Sequence, residues 1–160
     1  GLNVAREPST APDFLWGKEL LFQADAHYYH HTDRPLAAKS AAELKNGERI
    51  GVIRGYEYGE QFFRNDAINK EWVSRHVQNI SKLLAGRVDA IIMFDKTANL
   101  LLQKNGLEKQ IVPAFPCESS LIYVAFSLSH PRAAYFAGKL DEGLRIIKAN
   151  GVHAAIAAKY

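Results

Sequence analysis

The residues best placed to do chemistry are a carboxylate, a basic turn and a group of histidines. Asp95 closes the run Gly86 to Asp95 (GRVDAIIMFD), whose middle, Val88 to Phe94, is apolar except for Asp89. A strand that ends on a charge sets that charge outside its carboxyl end. There it can receive a cation or cap a helix beginning at Lys96 and Thr97. Asp89 reads instead as locally paired, with Arg87 as its partner. Arg54-Gly55-Tyr56 follows a second β-branched run, Arg49 to Ile53 (RIGVI). Arg54 can bind an anion there or remain a solvated strand-end charge, and the N–H groups opening the next helix can also receive an anion. Tyr56 and Tyr58 can wall a pocket and stack on a planar or cationic ligand, or simply pack on the surface.

His27, His30 and His31 lack the second ligand cluster that zinc or nickel needs, and Tyr28 and Tyr29 beside them suit an exposed strand end. No metal and no cofactor is therefore expected. A Gly-x-Ser-x-Gly elbow, a phosphate-cradling glycine loop and an HExxH helix are all absent, which argues against an enzyme. Ser119 and Ser120 next to Glu118 read as a turn.

The elements that must hold these groups alternate in period. Leu20 to Tyr29 reads as one long strand. Ser40 to Glu43 matches a capping box that opens a short helix, ended by Gly47. Arg49 to Ile53 is a strand, Glu57 to Arg64 a helix and Glu71 to Arg75 a short strand. Val77, Ile80 and Leu84 share one face of a helix stopped by Gly86, and Val88 to Phe94 is the next strand. Thr97 to Lys104 is helical with Leu101 and Leu102 inward, and Gly106 ends it. Gln110 to Phe115 and Leu121 to Leu128 are extended. Ser129 can cap a long helix with Ala133, Phe136, Leu140, Leu144 and Ile147 at helical spacing. After Asn150 and Gly151, Val152, Ala155 and Ile156 line a last short helix. Strands alternating with helices predict an α/β fold with a mixed, largely parallel sheet. In such sheets ligands bind outside the carboxyl ends of the strands, so Asp95, Gly55 and Tyr56 should open on one crevice.

Composition bounds the rest. The chain has 160 residues, 48% hydrophobic and 23% charged, enough for a real core. Its net charge of +3 comes from scattered residues without a basic run, which argues against nucleic acid. No apolar run approaches the roughly 20 residues that span a bilayer, and Cys117, the single cysteine, has no internal disulfide partner.

Three blocks together resemble the family 3 extracellular solute-binding proteins, the amino-acid-type periplasmic receptors of bacterial ABC importers. They are LLAGRVDAIIMFD, ELKNGERIGVIRGYEYGEQF, and LIYVAFSLSHP with the long helix, Gly151 and the terminal Lys159-Tyr160. The resemblance runs from about Leu2 to Tyr160. It implies a type II periplasmic-binding fold of two α/β lobes joined by two crossing strands, with ligand held between the lobes. On that template residues 1–21 are a remnant of lobe one, 22–122 are lobe two with the crossing strands, and 123–160 return to lobe one. A further lobe-one segment, on the order of 80 residues, would precede the first crossing. Its absence would leave Phe14, Trp16 and the last two helices short of packing partners, and so predicts an associated or domain-swapped oligomer.

The resemblance also assigns the site. Asp95 matches the aspartate that receives the ligand's α-ammonium, and Phe22 and Tyr123, on the crossing strands, would line the hinge side or pack in the core. Two departures stand out. The Arg that grips the α-carboxylate is expected near Ser9 or Thr10 and is absent, with Arg6 several residues too early. The usual Gly-Thr or Gly-Ser of lobe two is Gly55-Tyr56. The expected ligand is therefore a small polar, amine-bearing molecule other than a plain amino acid, passed to ABC permease subunits after export to the periplasm. The rivals are an extracellular sensing domain of a signalling receptor, a dehydratase-like enzyme and a transcription factor's effector domain. The enzyme would need a carboxylate-gripping Arg and an acid–base pair that the sequence does not display.

Overall fold

A computed structural model describes residues 2–5, 12 and 14–159. The chain forms two compact units, a continuous one of Asp25–Ser119 and a discontinuous one of Gly1–Ala24 with Ser120–Tyr160. The expected extent of lobe two was 22–122.

The continuous unit contains β4 (Ala26–His31), β5 (Arg49–Ile53), α1 (Glu60–Arg64), β6 (Asn69–Val73), α2 (His76–Leu84), β7 (Ala90–Phe94), α3 (Asp95–Asn105) and β8 (Ile111–Pro116). Its sheet runs β6-β5-β7-β4-β8. β5 is parallel to β6 and β7, whereas β4 is antiparallel to β7 and β8. Both faces are covered, which is why the strand sequences are continuously apolar rather than alternating. Ile50, Val52, Ala90, Ile92 and Tyr28 join Tyr58 and Phe62 in one cluster. Ile91, Met93 and Tyr29 join Ile80 and Leu83 of α2 and Ala98 and Leu102 of α3 in the other. Each such aliphatic side chain contributes roughly 1.5–3 kcal/mol by burial. α2 lies so close to β5 that a Cβ on Gly51 would sit 2.7 Å from Asn79 Oδ1.

The discontinuous unit is built on β9 (Ser120–Ser127), which pairs antiparallel with β1 (Leu2–Ala5), β2 (Phe14–Trp16) and β3 (Phe22–Ala24). α4 (Ala133–Ala149) and α5 (Val152–Ala157) follow. On α4 the buried residues are Ala133, Ala137, Asp141 and Leu144. Asp141 is the polar anchor: its carboxylate accepts the Lys18 N–H at 2.9 Å and the Glu19 N–H at 3.0 Å.

Several elements differ from the sequence reading, each for a local reason. Leu20 to Tyr29 is two strands in two sheets, parted at Asp25. Ser40 makes no cap; residues 41–43 form one 3-10 turn, and Glu43 accepts the Lys39 N–H at 2.8 Å instead. The Glu57 to Arg64 helix starts only at Glu60. On α2 the buried face is Asn79, Ile80 and Leu83, leaving Val77 exposed, because the helix meets the sheet about one position away from the expected stripe. Ser129 does not cap α4; its hydroxyl bonds that of Ser127 at 2.8 Å, and the helix starts at Ala133. Phe136, expected in the core, is exposed. Asp89 pairs not with Arg87 but with Arg49 on the neighbouring strand, at 2.7 Å from Nη2 and 3.1 Å from Nε. The Arg6 to Thr10 region lies outside the described residues.

Candidate functional site

Parallel β5, β6 and β7 bring their carboxyl ends to one edge of the five-stranded sheet. β4 runs antiparallel and starts there, with Ala26 opposite Phe94 and His27 opposite Met93. Cys117, just past β8, joins the same edge by donating its N–H to Ala26 O at 2.7 Å. The edge therefore gathers Arg54 to Tyr56, His76, Asp95 and His27.

Asp95 is the first residue of α3, and its N–H donates to Asp25 O at 3.0 Å. A carboxylate there is favoured by the helix dipole. The side chain does not cap the helix, however. Its Oδ1 is 2.7 Å from His27 Nδ1 and 3.1 Å from the Tyr29 hydroxyl, which donates to it. His27 and Tyr29 are two apart on β4, so the strand's period of two turns both toward Asp95. Tyr29 is held protonated well above its usual range, first by burial and then by the Asp95 charge. The carboxylate and the imidazole are each about a third exposed, at 32% and 31%. His27 is thus not a free strand-end residue, and an acid–base pair absent from the sequence reading is present.

Gly55 takes φ +81°, a left-handed value that glycine adopts without Cβ strain, and so turns the chain off β5. Arg54 is exposed, with its N–H on Val73 O at 2.8 Å and no ion pair among the described residues. Tyr56 is 40% exposed and lies 5.9 Å from the Phe94 ring and 5.7 Å from His76, centroid to centroid. Tyr58 does not offer a ring to a ligand. It is 2% exposed in the core, and its hydroxyl accepts the Ile53 N–H at 2.8 Å, bracing the turn from below.

Phe22 and Tyr123 belong to the discontinuous unit. Phe22 is opposite Ile122 on adjacent antiparallel strands, so it shares a face with Ile122 while Tyr123 points to the other. They do not line a common surface. Phe22 is exposed and Tyr123 half-buried.

Three residues of the edge were missed in the sequence: His27, Phe94 and His76. His76 opens α2, and both of its ring nitrogens are buried without a hydrogen-bond partner among the described residues. Burial lowers its pKa below the usual histidine value. His30 and His31 are structural: the Nδ1 atoms accept the N–H groups of Leu36 at 3.0 Å and Asp33 at 3.1 Å. Cys117 is a buried free thiol whose pKa burial pushes up to about 11.

No family model matches this sequence, and no curated protein matches it significantly. Solved structures match in shape. An ancestral arginine-binding protein bound to arginine superposes with TM-score 0.80 at 18% identity, over 98% of this chain and 68% of its own. The chain has the type II periplasmic-binding-protein fold. Within that fold, a histidine kinase sensor domain similar to periplasmic binding proteins gives TM-score 0.79 at 17% identity, over 99% of this chain and 67% of its own. An amino acid ABC transporter substrate-binding protein of Streptococcus pneumoniae, bound to L-arginine, gives 0.76 at 14% identity, over 95% and 62%. The chain thus spans about two thirds of the length of the type II periplasmic-binding proteins it matches.

Proposed function

We propose that this protein is an exported solute receptor that binds a small, polar, amine-bearing ligand and delivers it to the membrane subunits of an ABC importer. The observation that carries the reading is Asp95: a partly exposed carboxylate at a strand's carboxyl end, aligned by two donors on one oxygen. Asp95 Oδ2 takes no hydrogen bond from the described residues, and it is left to meet the ligand's ammonium. A charge-assisted bond of this kind is worth about 1.5–3 kcal/mol. Tyr56 and Phe94 supply aromatic faces at the same sheet edge, Gly55 lets the backbone turn away, and Arg54 is the cation available to an anionic group of the ligand. Tyr58 acts only by holding that turn. Phe22 and Tyr123 would act as separate surfaces of the crossing strands. Delivery would follow from a population shift, in which ligand bridging two lobes favours the closed state by its extra contacts there. A thermal-shift screen of amino acids, polyamines and small dicarboxylates tests this. Amines should raise the melting temperature, and Asp95→Ala should abolish that rise; an undiminished rise in the variant would refute the role of Asp95.

The likeness to a sensor domain supports a second use of the same site, in which ligand binding reports rather than delivers. A membrane-spanning helix encoded after Tyr160 in the parent gene would favour it.

A further inference from the structure

The discontinuous unit carries a groove of about 690 Å³ between β9 and α4. Val124 and Phe126, two apart on β9, turn the same face of the strand toward it. Phe136 and Leu140, four apart on α4, form the facing wall beside the helix's buried stripe of Ala133, Ala137 and Asp141. Among the described residues no aspartate or glutamate lines the groove.

The charged groups at this groove are cationic. Lys139 lines it and already pairs with Glu142 at 2.7 Å. Arg132 has no carboxylate partner among the described residues; its guanidinium rests 4.8 Å from the Phe136 ring centroid and 4.8 Å from that of Tyr135. Contact with Phe136 thus sets an unpaired cation at the end of the groove where α4 begins. His130 lines that same end, 5.7 Å from the Phe136 ring. Its Nδ1 accepts the Arg132 N–H at 3.2 Å, so the neutral ring keeps its proton on Nε2 as a donor.

We propose that the groove is a second ligand site, for a small carboxylate with an apolar tail. The tail packs between Val124, Phe126, Phe136 and Leu140, and the carboxylate meets Arg132 and His130 at the end of the groove. Size favours a small molecule over a protein. The volume is within the roughly 300–1,000 Å³ of small-molecule sites, whereas eight lining residues fall short of the roughly 20–30 that a protein partner covers. The site is independent of Asp95, which belongs to the other unit.

The experiment is a titration of the chain with octanoate, octylammonium and octanol, which share one tail. It is read by NMR on the rings of Phe126 and Phe136 and the methyl groups of Leu140. Octanoate should bind about tenfold more tightly than octylammonium, as expected of a charge-assisted contact. Arg132 is exposed, so Arg132→Gln should weaken octanoate about threefold to fivefold, less at high salt, and leave octanol unchanged. Phe136→Ser alters an exposed ring and should weaken all three. Octylammonium binding as tightly as octanoate overturns the proposal, as does undiminished octanoate binding by either variant. Shifts centred on Tyr56 and Phe94 would move the ligand to the other unit and overturn it too. Self-association in sedimentation that Phe136→Ser abolishes, with no response to octanoate, would assign the groove to a second copy of the chain instead.

Discussion

In the continuous unit, β5 and β7 bury Ile50, Val52 and Ile92 on one face of the sheet and Ile91 and Met93 on the other. In the discontinuous unit the central strand β9 buries only Ser120, Ile122 and Ala125, while Leu121 beside them, Phe22 on β3 and Phe136 on α4 remain exposed. The first unit is held by a two-sided apolar core. The second leans more on polar anchors: the Asp141 carboxylate on the Lys18 and Glu19 N–H groups, Lys148 on Glu19 at 3.1 Å, and His153 donating to Leu21 O at 2.6 Å. The candidate site is on the edge of the better-packed unit, where a carboxylate and its two donors can be held to a fixed geometry. Rigid support of this kind is what a binding constellation needs.

Mutations can break that contrast. Ile92→Ala removes a wholly buried side chain from the continuous unit and should cost about 3 kcal/mol in urea unfolding. Leu144→Ala in the discontinuous unit should cost less, since Leu144 is 5% exposed where Ile92 is wholly buried. The reverse order would overturn the comparison. Asp141→Asn tests the polar anchor: losing charge-assisted bonds to backbone N–H groups should cost about 2 kcal/mol. A loss below a few tenths would show that the anchor is dispensable.

The smallest effect tests the Arg49–Asp89 pair that ties the start of β5 to the segment before β7. The Arg49 hydrogen bond holds Asp89 below the usual carboxylate range. A depressed folded-state value stabilises above the unfolded pKa, and that stabilisation is lost as pH falls through the folded one. Both side chains are more than a third exposed, so the pair is worth about 1 kcal/mol at most. Asp89→Asn should therefore melt slightly below wild type at pH 7, with the gap closing on acidification below the carboxylate range. A gap independent of pH would assign the effect to something other than the pair.

Much of the scaffold was legible because it rests on local signals. RIGVI and the apolar run before Asp95 could only be strands, Gly106 at φ +64° ends α3 as its position suggested, and the α/β alternation led to the observed fold. What was not legible depends on pairing. His27 reaches Asp95 only because Ala26 sits opposite Phe94 across 68 residues of chain, and Asp89 finds Arg49 across a strand boundary. Asp141 lies between apolar positions of α4 and reads as solvated until the Lys18–Glu19 backbone is placed against it. Tyr58 and Tyr56 are alike in the sequence, yet the turn at Gly55 sends one into the core and leaves the other exposed. The His27 signal was present as an alternation of His27 and Tyr29 toward one face, but one strand alone does not say what that face meets.

The most direct measurement is titration calorimetry of Asp95→Asn against whichever amine most raises the wild-type melting temperature. The substitution keeps the size and hydrogen-bonding reach of the side chain and removes its charge. A loss of affinity of about tenfold or more, as expected for a charge-assisted bond of roughly 1.5–3 kcal/mol, measured at a temperature where the variant remains folded, is the predicted result. Equal affinity in the variant and the wild type would contradict the account.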